Sequence, residues 1–223
     1  MIESGGSYLL LDMGVPLSRI REALNHDLSK VVGCLVTHEH ADHAGFLPQL
    51  ERETDIPIYC TEGTRKAFYL SNRCQCIKHK KYFKCGDVFE VFCTELSHDK
   101  DPFIECFGFV VWCRGKKLFY ATDTGSVINP GSAKFYQFVN LTYLMIEANH
   151  SFQALIDSDL HPAAVKRICE THLSIDQVCE FVERHPDLEE IHLIHLSDGH
   201  SDAKEFKRMV QDVSGVPVFI AGK

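Results

Sequence analysis

Apolar and polar positions follow one another in short blocks along this chain, and the period of each block predicts its element. Short apolar runs predict strands at Tyr8 to Leu11, Val31 to Val36 and Ile56 to Cys60. Helices are predicted after Pro16, near Ala44 to Glu51 and near Thr64 to Leu70. Then come β-rich runs at Val88 to Glu95 and Phe103 to Cys113, a turn at Arg114-Gly115-Lys116 and a strand at Leu118 to Ala121. The last third alternates again: strand Tyr143 to Glu147, helices near Pro162 to Glu170 and Ile175 to His185, strand Ile191 to Leu196, a helix near Ala203 to Val213 and strand Val216 to Ile220. Such an order predicts an α/β protein, a mixed sheet with helices outside. No fixed-period repeat is present, but Leu35-Val36-Thr37-His38 and Leu193-Ile194-His195 are both apolar strands ending in histidine, as two similar α/β halves would give.

The first of these strands runs into His38-Glu39-His40-Ala41-Asp42-His43. At an extended strand end His38 and His40 project to one side, whereas Asp42 and His43 leave in another direction. Imidazole and carboxylate suit divalent metals, and this divergence suits two adjacent ions better than one. The helical zinc-protease pattern does not apply, because the position four after His38 is Asp42. Further ligand types stand at the ends of other apolar strands: Asp12, His98, Asp123 and His195. Taken singly, a strand-end Asp is a turn former and a lone His a packed or solvated one. Together with the histidine cluster they form a candidate set.

At 223 residues and 45% hydrophobic content the chain is long enough for one large core, and a single domain, 1–223, is expected. No long apolar stretch and no basic-then-apolar leader is present, so a soluble, cytoplasmic protein without membrane contact is expected. Of the ten cysteines, Cys34, Cys60, Cys93, Cys106, Cys113, Cys169 and Cys179 lie in apolar runs and read as small buried hydrophobes. Cys74, Cys76, His79 and Cys85 share a polar stretch, as free loop thiols or as a structural zinc site of no standard spacing.

A formal charge of −8 argues against a protein coated in positive potential. Locally the balance reverses. Between positions 65 and 84 stand Arg65, Lys66, Arg73, Lys78, Lys80, Lys81 and Lys84 with no acid, interleaved with Phe68, Tyr69, Tyr82 and Phe83. This stretch reads either as a nucleic-acid track or as an ordinary solvated face. Downstream, Ser174-Ile175-Asp176-Gln177 reads as a capping box, which places His172 near a helix N-terminus suited to phosphate. His172 is the candidate proton donor. His150 and His200 flank the expected pocket as candidate substrate contacts.

Over nearly its whole length, and in the right order, the chain resembles the metallo-β-lactamase-fold hydrolases, in particular the YycJ/WalJ branch. The segments that carry the resemblance are Leu10 to Gly14, His38 to His43, His98-Asp99 with Gly108-Phe109, Ala121 to Gly125, Ile146 to His150 and Thr171 to Ser174. The chain departs from the family pattern at Thr171, where the family has Gly, and at Asp198 to Ser201, where it has an Asn-rich run. It also begins at about the end of the family's first strand and Ser/Gly/Asn-rich loop.

The resemblance implies a four-layer αββα sandwich with mixed sheets and metals at one edge. It puts His38, His40 and His98 on one ion and Asp42, His43 and His195 on a second, with Asp123 bridging and Asp12 beneath, orienting a histidine ring. By analogy with RNA-processing nucleases of the superfamily, Glu147 joins His172 as a proton relay, so Asp42, Glu147 and His172 are the expected catalytic side chains. Two divalent ions, zinc, manganese or iron, would supply a bridging hydroxide at neutral pH. The activity implied is a phosphodiesterase or nuclease, 5′-to-3′ DNA exonuclease-like, with DNA as partner. The alternatives are a small-molecule thioester, lactone, lactam or cyclic phosphodiester hydrolase, and a catalytically idle metal-binding scaffold.

Overall fold

The computed structural model describes residues 1–98, 104–127 and 140–221. Its strands belong to two sheets, of five and of seven strands. Among the described residues, 1–95, 104–107 and 112–114 form one compact unit and 96–98, 108–111, 115–127 and 140–221 a second.

The first unit is built on five strands in chain order, β1 (Ile2–Ser4), β2 (Ser7–Leu11), β3 (Val31–Leu35), β4 (Ile58–Cys60) and β5 (Gln75–Cys76). Pairing is antiparallel between β1 and β2 and parallel from β2 onward. Parallel strands covered on both faces read as continuous apolar runs, and β3 accordingly buries Val31, Cys34 and Leu35. Around it pack α1 (Leu17–Ala23), α2 (Ala41–Ala44), α3 (Leu47–Glu53) and α4 (Glu62–Ala67), with Leu10, Met13, Leu17, Val36, Ala44, Leu47, Leu50 and Ile58 in one core. An antiparallel hairpin, β6 (Tyr82–Cys85) and β7 (Phe89–Leu96), follows.

After β8 (Cys106–Cys113), the second unit carries a run of parallel strands, β9 (Lys116–Ala121), β10 (Tyr143–Glu147), β11 (Glu190–Ile194) and β12 (Val218–Ile220), in the order β12-β11-β10-β9. Its helices are α5 (Phe152–Ile156), α6 (Pro162–Thr171), α7 (Ile175–Glu183) and α8 (Ala203–Ser214). Helix α8 shows why these segments are helical. Asp202 caps the backbone N–H groups of Lys204 and Glu205, Phe206 and Val210 bury one face four residues apart, and Gly215 ends the helix in the left-handed region. The capping box read at Ser174 and Gln177 is formed at the start of α7.

Several elements differ from their expected bounds. The helix expected over Ala44 to Glu51 is two: α2 begins inside the histidine cluster, and Pro48 starts α3 afresh at its first turn. Thr61 caps α4 and starts it earlier than expected. Arg114 and Gly115, both at positive φ, make the tight hairpin, so Lys116 already belongs to β9. Strands β1, β5 and β6 and helix α5 were too short or too polar to read. Phe103, the expected start of β8, lies outside the described residues. No described helix is long and apolar enough to cross a membrane.

Register decides what meets at the strand ends. With Leu11 paired to Leu35 in parallel, the residues after β2 and β3 emerge together. Gly14 then lies so close to α2 that a Cβ there would stand 1.6 Å from the Asp42 carbonyl oxygen. Replacing Gly14 by Ala forces the backbone apart, and a loss of about 3 kcal/mol of stability is expected in urea unfolding. Gly199, with nothing within 4 Å of its missing Cβ, is the control, and Gly199→Ala is expected to change stability by less than about 0.5 kcal/mol.

Candidate metal centre

In the first unit Asp12 is the joint. Its backbone turns into the left-handed region at φ 60°, and its N–H donates to the Leu35 carbonyl at 2.8 Å. Its Oδ1 accepts the Thr37 N–H at 2.8 Å, both carboxylate oxygens lie 3.1 Å from the Thr37 hydroxyl, and Oδ2 stands 2.8 Å from His43 Nδ1. A carboxylate only accepts, so His43 carries its proton on Nδ1 and keeps the Nε2 lone pair for another partner. The Thr37 hydroxyl lies 3.0 Å from His38 Nδ1, and His38 Nε2 faces His40 Nδ1 at 2.9 Å. Two ring nitrogens so close share one proton or one cation. His38 and His43 are buried, whereas the Asp42 side chain is 66% exposed, its Oδ2 lying 3.5 Å from His43 Nε2.

The second unit gathers its own set by the same device. Ile146 pairs with Ala121 and Glu147 with Ile194, so the chain ends beyond β9, β10 and β11 open at one edge. Asp123, at φ 47°, stands 2.9 Å from the Nδ1 of His195, at φ 54°. Glu147, with no exposed surface, accepts the Thr124 N–H through Oε2 at 3.0 Å. Its Oε1 lies 2.6 Å from His172 Nδ1 and 3.4 Å from His195 Nδ1. One ligand atom from each of Asp123, Glu147, His172 and His195 lies within 4.8 Å of the others. His98 Nδ1 faces the Thr171 carbonyl at 3.3 Å, which leaves Nε2, 4.0 Å from Asp123 Oδ2, as its ligand atom.

Burial works against the cationic form of His195, but hydrogen bonds to Asp123 and Glu147 and their negative charges outweigh it and hold its pKa up at about 10. Two carboxylates withdrawn from water here draw in positive charge, which a proton or a metal ion supplies. This donor set of imidazole and carboxylate fits a divalent cation. Glycine serves this unit as Gly14 serves the first: a Cβ on Gly125 would meet the Glu170 carbonyl oxygen at 1.9 Å.

Other candidates are placed differently. The thiols and imidazole weighed as a zinc site go separate ways: Cys74 to Cys60, Cys76 to Glu62 and His79 to Glu95, with Cys85 in the core, and no metal-binding group forms from them among the described residues. The basic stretch is largely neutralised by acids that the sequence holds elsewhere. Arg65 and Lys66 pair with Glu62, Arg73 with Asp55 and Lys84 with Glu90. Lys78, Lys80 and Lys81 are exposed and make no ion pair among the described residues, beside Tyr82, which packs on Phe92 and Trp112. Asp99 lies outside the described residues. Thr37, which holds Asp12, carried no signal in the sequence beyond its place after a strand, and Thr124, which holds Glu147, was marked only as part of the Ala121 to Gly125 segment.

The sequence from residue 10 to 196 matches the model of the beta-lactamase superfamily domain. The chain belongs to this superfamily. The matched span brackets the strand-end set from Asp12 to His195. The chain is 29% identical over 222 residues to exodeoxyribonuclease YycJ of Bacillus anthracis, covering 90% of this chain and 78% of that protein. It is also 29% identical over 230 residues to exodeoxyribonuclease WalJ of Streptococcus pneumoniae, covering 93% and 80%. The crystal structure of the metallo-beta-lactamase fold protein YhfI from Bacillus subtilis superposes with a TM-score of 0.73 at 18% identity, over 98% of this chain and 86% of that one. The fold class is thus the α/β metallo-β-lactamase sandwich with mixed sheets that the resemblance implied, and the superfamily is one of hydrolases.

His150, expected as a candidate substrate contact, is wholly buried, its ring edge-on to Phe152, and among the described residues neither ring nitrogen has a hydrogen-bond partner. Burial, reinforced by the charges of His172 and His200 and opposed by Glu147, lowers its pKa from 6.5 to about 4. Between these values the unfolded chain binds the proton and the folded one does not, so this contribution to stability is complete above pH 6.5 and is lost as pH falls toward 4. From pH 7 to 5 the metal-free protein is expected to lose about 2 kcal/mol more than its His150→Leu variant in urea unfolding. Parallel losses would refute the assignment.

Proposed function

We propose that the chain is a metal-dependent phosphodiesterase acting on DNA, an exonuclease of 5′-to-3′ type, working as one domain over 1–223 in the cytoplasm. The observation that carries the reading is the Glu147–His172 pair, 2.6 Å apart beside Asp123 and His195, in a chain similar to two exodeoxyribonucleases over most of its length. In this proposal His38, His40 and His98 hold one divalent ion, Asp42, His43 and His195 a second, and Asp123 both. Zinc, manganese and iron all accept such ligands. Divalent ions held there would supply hydroxide at neutral pH and positive charge for phosphate oxygens.

The chain's own residues do the rest. Asp12 holds the His43 ring through Nδ1 and keeps Nε2 turned to its ligand role. Glu147 binds His172 Nδ1 and stabilises the imidazolium, so that His172 Nε2 delivers a proton to the departing oxygen. Asp42 completes the catalytic set as a ligand and, being exposed, faces incoming substrate. Lys78, Lys80 and Lys81 contact the phosphate backbone and Tyr82 offers a base a face to stack on. Because much of the neighbouring basic charge is already paired with acids, a second reading stands: a small-molecule thioester, lactone, lactam or cyclic phosphodiester hydrolase.

Protein reconstituted with zinc, manganese or iron and offered end-labelled DNA, RNA, a chromogenic phosphodiester and a lactam is expected to cleave phosphodiesters, and His40→Ala and Asp123→Ala to abolish cleavage. Turnover of the lactam alone would sink the nuclease assignment. Lys80→Ala with Lys81→Ala is expected to reduce the salt slope of DNA binding by about 2, whereas small-substrate hydrolysis is expected to ignore them. His172→Gln is expected to lower kcat by about 10²- to 10⁴-fold with bound metal unchanged. Loss of metal or of fold in that variant would reduce His172 to a brace.

A further inference from the structure

Outside the histidine clusters, the first unit holds two thiols in contact. Cys60 ends β4 and has no exposed surface; Cys74, in the segment before β5, is 7% exposed. Their Sγ atoms are 3.2 Å apart, in direct contact and within reach of a hydrogen bond from one S–H to the other sulfur. Cys74 Sγ also lies 3.5 Å from the Ile58 carbonyl oxygen, so its own S–H is directed there and the Cys60 S–H toward Cys74. The pair is not sealed. Cys74 lines a cavity of about 200 Å³ together with Glu51, Asp55, Ile58 and Arg73, room for a molecule of a few heavy atoms. A cysteine that lines a cavity, with its sulfur in contact with a second, fully buried thiol, has the layout of an attacking and a resolving cysteine.

We propose that Cys74 and Cys60 form an oxidation site for small hydroperoxides, independent of the metal chemistry. The Cys74 thiolate attacks one peroxide oxygen, the O–O bond breaks, and the other oxygen leaves as water or alcohol once protonated, giving a sulfenic acid at Cys74. Cys60 sulfur then attacks Cys74 sulfur. The S–O bond breaks, the hydroxide leaves as water with the Cys60 proton, and a Cys60–Cys74 disulfide remains. Two thiols lose two electrons, and one peroxide gains them. The disulfide closes the segment 61–73, which contains α4 and Tyr69, onto the end of β4.

The electrostatics run the same way. The hydrogen bond from Cys60 lowers the Cys74 pKa, and the same bond, with burial, raises that of Cys60, so the thiolate forms first on the cavity side. Exposed Cys76 is the obvious rival, since it sits opposite Cys60 in the β4–β5 register. Its S–H, however, is given to Glu62 at 3.0 Å, and burial and that carboxylate push its pKa up to about 11.

The test treats full-length protein with a slight molar excess of hydrogen peroxide, alkylates it in denaturant and maps the peptides by mass spectrometry. The expected result is loss of two of the ten alkylatable thiols, with one cross-linked peptide joining Cys60 to Cys74. Cys76→Ala is expected to leave the cross-link intact. In Cys60→Ala the sulfenic acid at Cys74 has no resolving partner, and its capture by dimedone is expected to rise about tenfold over wild type. A Cys60–Cys76 link, a full count of ten thiols, or equal dimedone capture with and without Cys60 would each overturn the proposal. Thermal unfolding of both variants checks that they are folded.

Discussion

The arrangement of the first unit's imidazoles depends on a carboxylate that must sit where a strand has just stopped. Asp12 reaches Thr37 and His43 because its backbone turns out of β2 at φ 60°, a conformation costing about 1–3 kcal/mol for a residue with a side chain. The hydrogen bonds it gains there, to an N–H, a hydroxyl and a ring nitrogen, are worth about 1.5–3 kcal/mol each when one partner is charged. They exceed the strain, and the surplus is what keeps β2, β3 and α2 joined at their ends. Remove the carboxylate and the strain has nothing to oppose it.

The second unit solves the same problem with Glu147. Being fully buried, it cannot be hydrated, so the Thr124 N–H and His172 must take the place of water. Asp123 and His195 are bent into the left-handed region as Asp12 is, and they meet at 2.9 Å. In both units, then, residues just beyond a parallel strand, Asp12, Asp123 and His195, take the left-handed conformation where they deliver a ligand type to the sheet edge. The negative charge collected there is what holds the pKa of the His195 imidazole up against the cost of its burial.

Surface charge obeys a different logic. The run from Arg65 to Lys84 contains no acid, yet the fold brings Asp55, Glu62 and Glu90 to it. Exposed pairs of this kind add little stability, about 0–1 kcal/mol each, but they cancel the field that a nucleic acid would feel. What survives among the described residues is three unpaired lysines and two exposed tyrosines, Tyr69 and Tyr82, a smaller footprint than the sequence implied.

Periodicity sufficed for β3 and β8, buried along most of their length, for β10, whose Leu144 and Ile146 alternate with partly buried neighbours, and for α8, because burial of that kind dictates residue type along the element. The ligand types at strand ends were legible for a related reason: an apolar run that stops at His38, Asp123 or His195 marks its own edge. The short strands β1 and β5 were not legible, since a pairing of two or three residues is held by backbone hydrogen bonds to a neighbour and asks little of the side chains. Nor did sequence separate a zinc cluster from scattered thiols, or a basic lobe from a neutralised one. Those outcomes turn on which distant groups come within a few ångströms, and local sequence carries chemistry but not distance. Only the register of packed strands, fixed by the core as a whole, turns one into the other.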